Sequence, residues 1–591
     1  VEEVAAALPL AAIVAIPLLE IVLRGVFHVG IPGAIPFVQH LTLWAGFLGA
    51  ALAAREGRLL ALSASTFLPE GALRRVAELL SGTAGAFVAA LLCRAGVTLV
   101  LAEREAGTRI AAGVPVWAAQ LVLPAAFAIL AGRLAWRAGS RWPGRLLAGA
   151  AALCGFAFAE GLLEGRPAWP GLLLLVLAAA AGAPIFALLG GAAAFLFLSD
   201  GVRPVAVLIE TYQLSVKPTL PSIPLFTLAG FLLAEGRAPQ RLLRCFRGLV
   251  GSVPGGTAVV AAAVCAFFTV FTGGSGVTIL ALGGLLLPAL IQDGYGERFS
   301  VGLLTASGSL GLLLPPALPL ILYAIVAEIA PEELFVGGLL PGLLLVGLAA
   351  GWGVREGIRR RIPRPAFDAR EAVAAVWGAK WEILLPVIVL VAIFGGFATL
   401  VEASALAALY AFLVQRFVHR DLASARDLGR VLTDCGATIG GVLLVLGVAV
   451  GLTGYLVQAD VPGKLLQWTQ ATVGSRWVFL LALNVFLLIV GCLMDIFSAI
   501  FVVVPLIVPL GEAYGVHPIH LGVLFVANLE LGYLTPPVGL NLFLASYRFK
   551  RPLLEVAAAT LPMLAILGAG VLLITYVPWL TTGLLVRFGH G

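Results

Sequence analysis

The sequence predicts an all-α polytopic membrane protein, and three observations carry that prediction. Its residues are 61% hydrophobic and only 12% charged, with a mean hydropathy of +1.06, a balance outside the range of soluble domains. Apolar runs long enough to cross a bilayer recur along the chain, among them residues 4–26, 37–54 and 76–102. Finally, "LGLLLPPALPLILYA" (310–324) has a near relative in "LGYLTPPVGLNLFLA" (531–545), at an offset of 221 positions. A double proline breaks a helix, and in a bilayer such a break frees backbone groups where water cannot satisfy them. The alternation expected of a membrane β-barrel is nowhere sustained.

The first 140 residues read as a four-helix scaffold region, with spans at about 4–26, 36–54, 76–102 and 115–136. Arg55, Arg58, Arg74 and Arg75 separate the second span from the third, and Arg133, Arg137, Arg141 and Arg145 follow the fourth. Arginine-rich loops stay in the cytoplasm, which places the N-terminus there too. The opening "VEEVAAALPL" has an acidic flank and no small-residue cleavage site, so no removable signal peptide is expected. Residues 141–167 form a connector whose apolar run, 146–163, makes one further crossing. The run 172–198 then holds two short crossings, split near Gly182-Ala183-Pro184.

The larger body contains two repeats, 168–350 and 383–591. "PLFTLAGFLLAEG" (224–236) resembles "LGVAVGLTGYLVQAD" (446–460), and each precedes its own Pro-Pro element by about 80 residues. Equivalent loops carry opposite charge bias. Arg237, Arg241, Arg244 and Arg247 crowd one loop of the first repeat, where the second has only Asp460 and Lys464; the preceding loops reverse this, with Arg416, Arg420, Arg426 and Arg430 in the second. The repeats are therefore predicted to be inverted in the membrane. Between them, residues 351–382 read as a basic cytoplasmic linker whose end forms an arm helix on the membrane surface.

Several chemistries are excluded or disfavoured. The net charge of +6 comes almost wholly from arginines in short loops, which orient helices and do not form a nucleic-acid footprint. Six cysteines lack C-x-x-C spacing, so they read as structural thiols. His517 and His520 sit in a turn with no acid or cysteine nearby, which favours capping over metal binding. The "TGGSG" stretch at 272–276 lacks the Gly-Lys-Ser/Thr ending of a phosphate loop. No nucleophile, base and orienter come together, so neither an enzyme nor an organic cofactor is expected.

The breaks are where chemistry is expected. Half-helix ends present carbonyls that can coordinate a hard cation and amides that attract anions. Ser307, Gly308 and Ser309 precede the first Pro-Pro (Pro315, Pro316); Asn528, Glu530 and Thr535 precede or adjoin the second, with Gly539 and Asn541 after it. Upstream, "FTGGSGVTILALGG" (271–284) and "GCLMDIFSAIF" (491–501) read as two re-entrant hairpins, with Thr272, Ser275, Gly276 and Thr278 at one tip and Asp495 and Ser498 at the other. An intramembrane acid is expensive unless paired or ion-bound, so Asp495 is either a cation ligand or the cap of a half-helix. Oxygen ligands with so few formal charges favour sodium over a divalent metal. Glu402 reads as a helix start or a proton relay, and Glu530 faces the site or pairs elsewhere.

These stretches resemble the membrane component of the tripartite ATP-independent periplasmic (TRAP) transporters. "IPLFTLAGFLLAEG", "ATLVEASALAALYAFLV" and the long run from "VVPLIVPLGEAYGVHPIH" to "LGYLTPPVGLNLFLA" are similar to its large subunit, and "LWAGFLGAALAAREGRLLAL" (43–62) with "GVPVWAAQLVLP" (113–124) to its small one. The resemblance implies a fused permease of the inner membrane with an elevator mechanism, importing an organic acid, of sialic-acid or dicarboxylate type, together with sodium. The acid would arrive on a periplasmic substrate-binding protein. It places ion-binding loops on Ser275 and Gly276, on Ser307, Gly308 and Ser309 before Pro315, on Asp495, on Asn528, and on Thr535, Pro536 and Gly539. Thr272, Thr278, Ser498 and Asn541 are left as candidates for the solute. A single-component carboxylate or ion transporter, without a binding protein, is the alternative. Two departures stand out. The first tip is poorer in serine than the family's, and Arg58-Leu59-Leu60 stands where a histidine-isoleucine pair is common.

Overall fold

The structure, a computed structural model, describes residues 2–61, 71–139, 142–363, 366–422, 424–536 and 539–587. Arg141, named above in a cytoplasmic loop, lies outside them. Among the described residues the regular structure is helical, with β geometry confined to the isolated bridges Ala61–Pro184 and Arg109–Pro115. Among the described residues twelve helices are long and apolar enough to cross a membrane.

The four spans expected in the first 140 residues correspond to Glu2–Phe27, Ala34–Glu56, Ala72–Ala106 and Val116–Arg137. The connector is interrupted, with Trp142–Ala157 followed by a single turn, Ala159–Leu163. Arg94, in the middle of the third span, explains how that interruption is tolerated. Its guanidinium donates to the carbonyls of Phe156 (3.0 Å) and Ala157 (2.7 Å) and pairs with Glu160 at 3.1 Å, so the carbonyls freed at the break are satisfied by a charge that is itself satisfied. The run 172–198 divides as expected into Trp169–Ala180 and Ile185–Ser199, with Gly182 at φ +82 in the turn.

The chain forms two compact units. The first comprises residues 1–225 with 425–462, so the long helix Ala425–Gln458, from the second sequence repeat, packs among N-terminal helices. Glycines explain the fit. A Cβ on Gly440 would lie 2.0 Å from the Ala50 amide nitrogen, and one on Gly49 would lie 2.2 Å from the Gly436 carbonyl oxygen, so Ala34–Glu56 and Ala425–Gln458 touch backbone to backbone. Gly440→Leu is expected to lower stability by about 3 kcal/mol or more, read as a fall in thermal midpoint and loss of monodisperse protein. Gly429→Leu on the same helix, where a Cβ meets nothing within 4 Å, should leave both unchanged.

The second unit, residues 226–424 with 463–591, carries the hairpins and the broken helices. Gly256–Thr272 and Ser275–Gln292 form one hairpin, turned at Gly273 with φ +63. Arg476–Leu493 and Ile496–Ala513 form the other. Glu297–Ser307 and Leu318–Ala327 flank the first break, where the Pro315–Pro316 bond is cis. Pro518–Gly532 and Leu540–Phe549 flank the second.

The segment expected as a linker, 351–382, ends in a helix as expected and also begins in one. It is mostly helix, because Pro331–Arg359 runs into it and Ala369–Phe394 begins within it. Asp368 fixes that beginning by accepting the Arg370 and Glu371 amides at 2.8 and 3.3 Å. Ala238–Val250 has one apolar and one arginine-bearing face. Its Leu242 and Cys245 pack with Ala379, Val376 and Ile383.

Candidate functional site

The first hairpin tip and the first break meet through threonines. Thr269 Oγ1 lies 2.8 Å from the Cys265 carbonyl, 2.9 Å from the Gly308 carbonyl and 2.7 Å from Thr278 Oγ1, with Thr272 Oγ1 a further 3.4 Å from Thr278. Thr269 thus ties the hairpin to the broken helix, a role no motif announced. Its position one helical turn before Thr272 was the signal available. Thr278 is fully buried in this hydroxyl chain, so its hydroxyl serves the hairpin's own structure. Backbones approach closely here, since a Cβ on Gly308 would lie 2.5 Å from Ile279 and 3.4 Å from the Ser275 carbonyl.

The second broken helix contributes Asn541, whose Nδ2 donates to the Thr305 carbonyl (3.2 Å) and to Ser309 Oγ (3.3 Å). Gly276 abuts Leu544 of the same helix. Ser275, Gly308, Ser309 and Asn541 are therefore brought together from three separate chain segments. Three oxygens of these elements have no hydrogen-bond partner among the described residues: Ser275 Oγ, Ser307 Oγ and Asn541 Oδ1. Their residues are buried to 2%, 0% and 0% exposure, and a buried polar atom left unpaired costs about 1–3 kcal/mol. Pro315 is buried in the break nearby and offers no amide hydrogen.

At the second tip Asp495 begins the helix Ile496–Ala513. Its Oδ2 accepts the Ser498 amide at 3.1 Å and its Oδ1 the Ser498 hydroxyl at 2.6 Å. Each carboxylate oxygen has lone-pair capacity left over, and Asp495 is half-buried, so the cap leaves room for a cation ligand. Tyr533 Oη accepts the Ile496 amide at 2.6 Å, and the Gly539 amide donates to the Cys492 carbonyl at 3.0 Å. Gly491 and Gly532 allow this proximity: a Cβ on Gly532 would lie 2.5 Å from Gly491 Cα. Thr535 back-bonds to the Leu531 carbonyl at 2.9 Å and Pro536 follows it. Pro537 and Val538 lie outside the described residues.

Asn528 points another way. Its Nδ2 donates to Asn484 Oδ1 at 2.6 Å and to the Leu524 carbonyl at 2.8 Å, and Thr575 Oγ1 reaches the same Asn484 oxygen at 3.1 Å. The result is a polar bridge across three helices. Glu530 is 3% exposed with neither carboxylate oxygen hydrogen-bonded among the described residues. Glu402 stands in a capping box with Thr399, at 2.8 and 3.3 Å, so it starts a helix. His517 caps by accepting the Ile519 amide at 3.2 Å, and His520 lies between Thr581 Oγ1 (2.9 Å) and the Thr575 carbonyl (3.3 Å).

Comparison with known proteins agrees with the sequence pattern. Residues 172–580 match the family described as tripartite ATP-independent periplasmic transporter, DctM component, and residues 13–144 match the DctQ component. The chain is 31% identical over 485 residues to the isethionate TRAP transporter permease protein DctMQ of Oleidesulfovibrio alaskensis, covering 78% of this chain and 74% of that one. It is 34% identical over 390 residues to the C4-dicarboxylate TRAP transporter large permease protein DctM of Pseudomonas aeruginosa, covering 66% and 91%. Among solved structures, the YdaH transporter of Alcanivorax borkumensis aligns over 62% of this chain and 85% of its own, with a TM-score of 0.45 and 18% identity.

Proposed function

Because this chain belongs to the TRAP transporter family, with its DctQ and DctM components in one polypeptide, we propose that it imports an organic acid delivered by a periplasmic binding protein, driven by sodium. It is a multi-pass protein of the inner membrane, with its N-terminus in the cytoplasm. The single observation that carries the ion reading is the set of buried, unpartnered oxygens of Ser275, Ser307 and Asn541 at the first hairpin and break. Neutral oxygens gathered at helix breaks suit a weakly held monovalent cation, whose binding would offset the desolvation of those oxygens. Asp495 would supply the formal charge for an ion at the second tip.

The relatives named for isethionate and C4-dicarboxylates support a small acid, sulfonate or carboxylate, as the solute. Hairpins and broken helices would move across the membrane with it while the N-terminal helices stay in place, an elevator. The test is uptake of labelled isethionate and of labelled succinate into proteoliposomes, with a binding protein for the same acid outside and sodium or potassium gradients imposed. Uptake that needs both the sodium gradient and the binding protein is expected. Uptake without the binding protein would favour a single-component transporter, and equal uptake in potassium would remove sodium from the mechanism.

A further inference from the structure

We propose that a cavity beside the helix Ala238–Val250 binds the headgroup of a zwitterionic aminophospholipid, its phosphate held by Arg244 and Arg247 and its ammonium by Asp293 and Glu371. The cavity measures about 790 Å³, within the range of small-ligand sites, roughly 300–1,000 Å³. Its depth in the membrane follows from the helices that end around it. Ser275–Gln292 stops one residue before Asp293, Pro331–Arg359 stops just before the lining residues Ile362 and Pro363, and Ala369–Phe394 starts one residue after Asp368. Three membrane-length helices ending at one cavity put it where hydrocarbon gives way to headgroups. The neighbouring surface agrees. Phe367 on the cavity wall is 59% exposed, and Val373 and Trp377, just beyond Glu371 on the same helix, are 70% and 69% exposed. Lys380 Nζ lies 3.4 Å over the Trp377 ring, the pairing of interfacial aromatic and cation.

Charge selects the class of headgroup. Among the described lining residues there are two arginines and three acids, the third being Asp368. Arg244 meets Glu371 at 2.8 and 3.1 Å, which uses two of its five donors. Arg247 is 3.6 Å from Asp293, beyond hydrogen-bond length. Both pairs are solvent-exposed and individually weak, so they can open to a ligand without large loss. A headgroup that is purely anionic would satisfy the arginines and be repelled by the acids. A phosphate ester bearing a primary ammonium satisfies both, whereas a quaternary ammonium has no hydrogen to donate to the carboxylates.

The same chemistry is carried by a lipid, phosphatidylethanolamine, and by free phosphoethanolamine. The experiment is native mass spectrometry of the whole purified chain with equimolar phosphatidylethanolamine, phosphatidylcholine and phosphatidylglycerol. Selective retention of the first is expected, with about a tenfold loss in the Arg244→Ala/Arg247→Ala double variant. Glu371→Gln with Asp293→Asn keeps shape and should erase the preference over phosphatidylcholine. If free phosphoethanolamine at millimolar concentration displaces the lipid, the headgroup alone supplies the affinity; if it does not, the acyl chains contribute, and both outcomes support the site. Equal retention of the three lipids, or undiminished selectivity in either double variant, would overturn it.

Discussion

Asp495→Asn is expected to abolish sodium-dependent uptake, by about 100-fold or more, corresponding to ~2.7 kcal/mol, while leaving the protein folded. The separation of the two effects comes from the geometry of the cap. Asparagine has nearly the shape of aspartate and is as good an N-cap, so its side-chain oxygen can still accept the Ser498 amide that Asp495 accepts at 3.1 Å. The hydroxyl bond at 2.6 Å also has an acceptor if the amide oxygen takes it. What the substitution removes is the negative charge. An ion that binds only the folded state raises stability by RT ln(1 + [L]/Kd), about 2.7 kcal/mol at a hundredfold excess over Kd. For the parent protein the thermal midpoint should therefore be higher in sodium than in potassium at equal ionic strength. In the variant the gap between the two midpoints should narrow by the share that an ion at the second tip contributes, leaving only what the first break supplies. Uptake by the variant within about twofold of the parent, less than ~0.5 kcal/mol, would reduce Asp495 to a helix cap.

Much of the architecture was legible in the sequence because helix breaks leave local marks. The first Pro-Pro pair, Pro536, the glycines of "TGGSG" and the aspartate in "GCLMDIF" sit at the observed interruptions, since each acts on the backbone within a few residues of itself. Partners made by long-range packing were not legible. Thr269, Asn484 and Tyr533 each contact a site segment from another helix, and nothing in their local spacing names the partner that packing brings to them. The grouping of Ala425–Gln458 with N-terminal helices rests on glycine contacts between residues nearly 400 positions apart, which a repeat comparison cannot detect. The three-to-four spacing of Leu242, Cys245 and Leu249 against Arg241, Arg244 and Arg247 marks the two faces of Ala238–Val250 in the sequence itself.

Ser307→Ala provides a second test, because it should move stability in opposite directions with and without the ion. Ser307 is fully buried and its hydroxyl has no partner, so the ion-free protein bears the desolvation of that oxygen unrelieved. Replacing the hydroxyl by hydrogen removes a penalty of about 1–3 kcal/mol and opens a void too small to matter at that scale. In potassium the variant's midpoint should rise by several degrees, about 2–4 °C per kcal/mol or less for a chain this long. In sodium the gain seen for the parent should shrink or vanish, because the variant has lost an oxygen that the ion would use. Thr305→Val is the control, since its hydroxyl already donates to the Val301 carbonyl at 2.7 Å and so carries no unrelieved desolvation for an ion to offset; its sodium response should match the parent's. A variant of Ser307 that is less stable in potassium and keeps the full sodium response would mean that a buried water satisfies the hydroxyl, and the ion reading of the first break would fall. A site that binds its ion reversibly has to leave these oxygens without permanent partners, so the instability of the empty state and the ability to couple are expected to have the same origin.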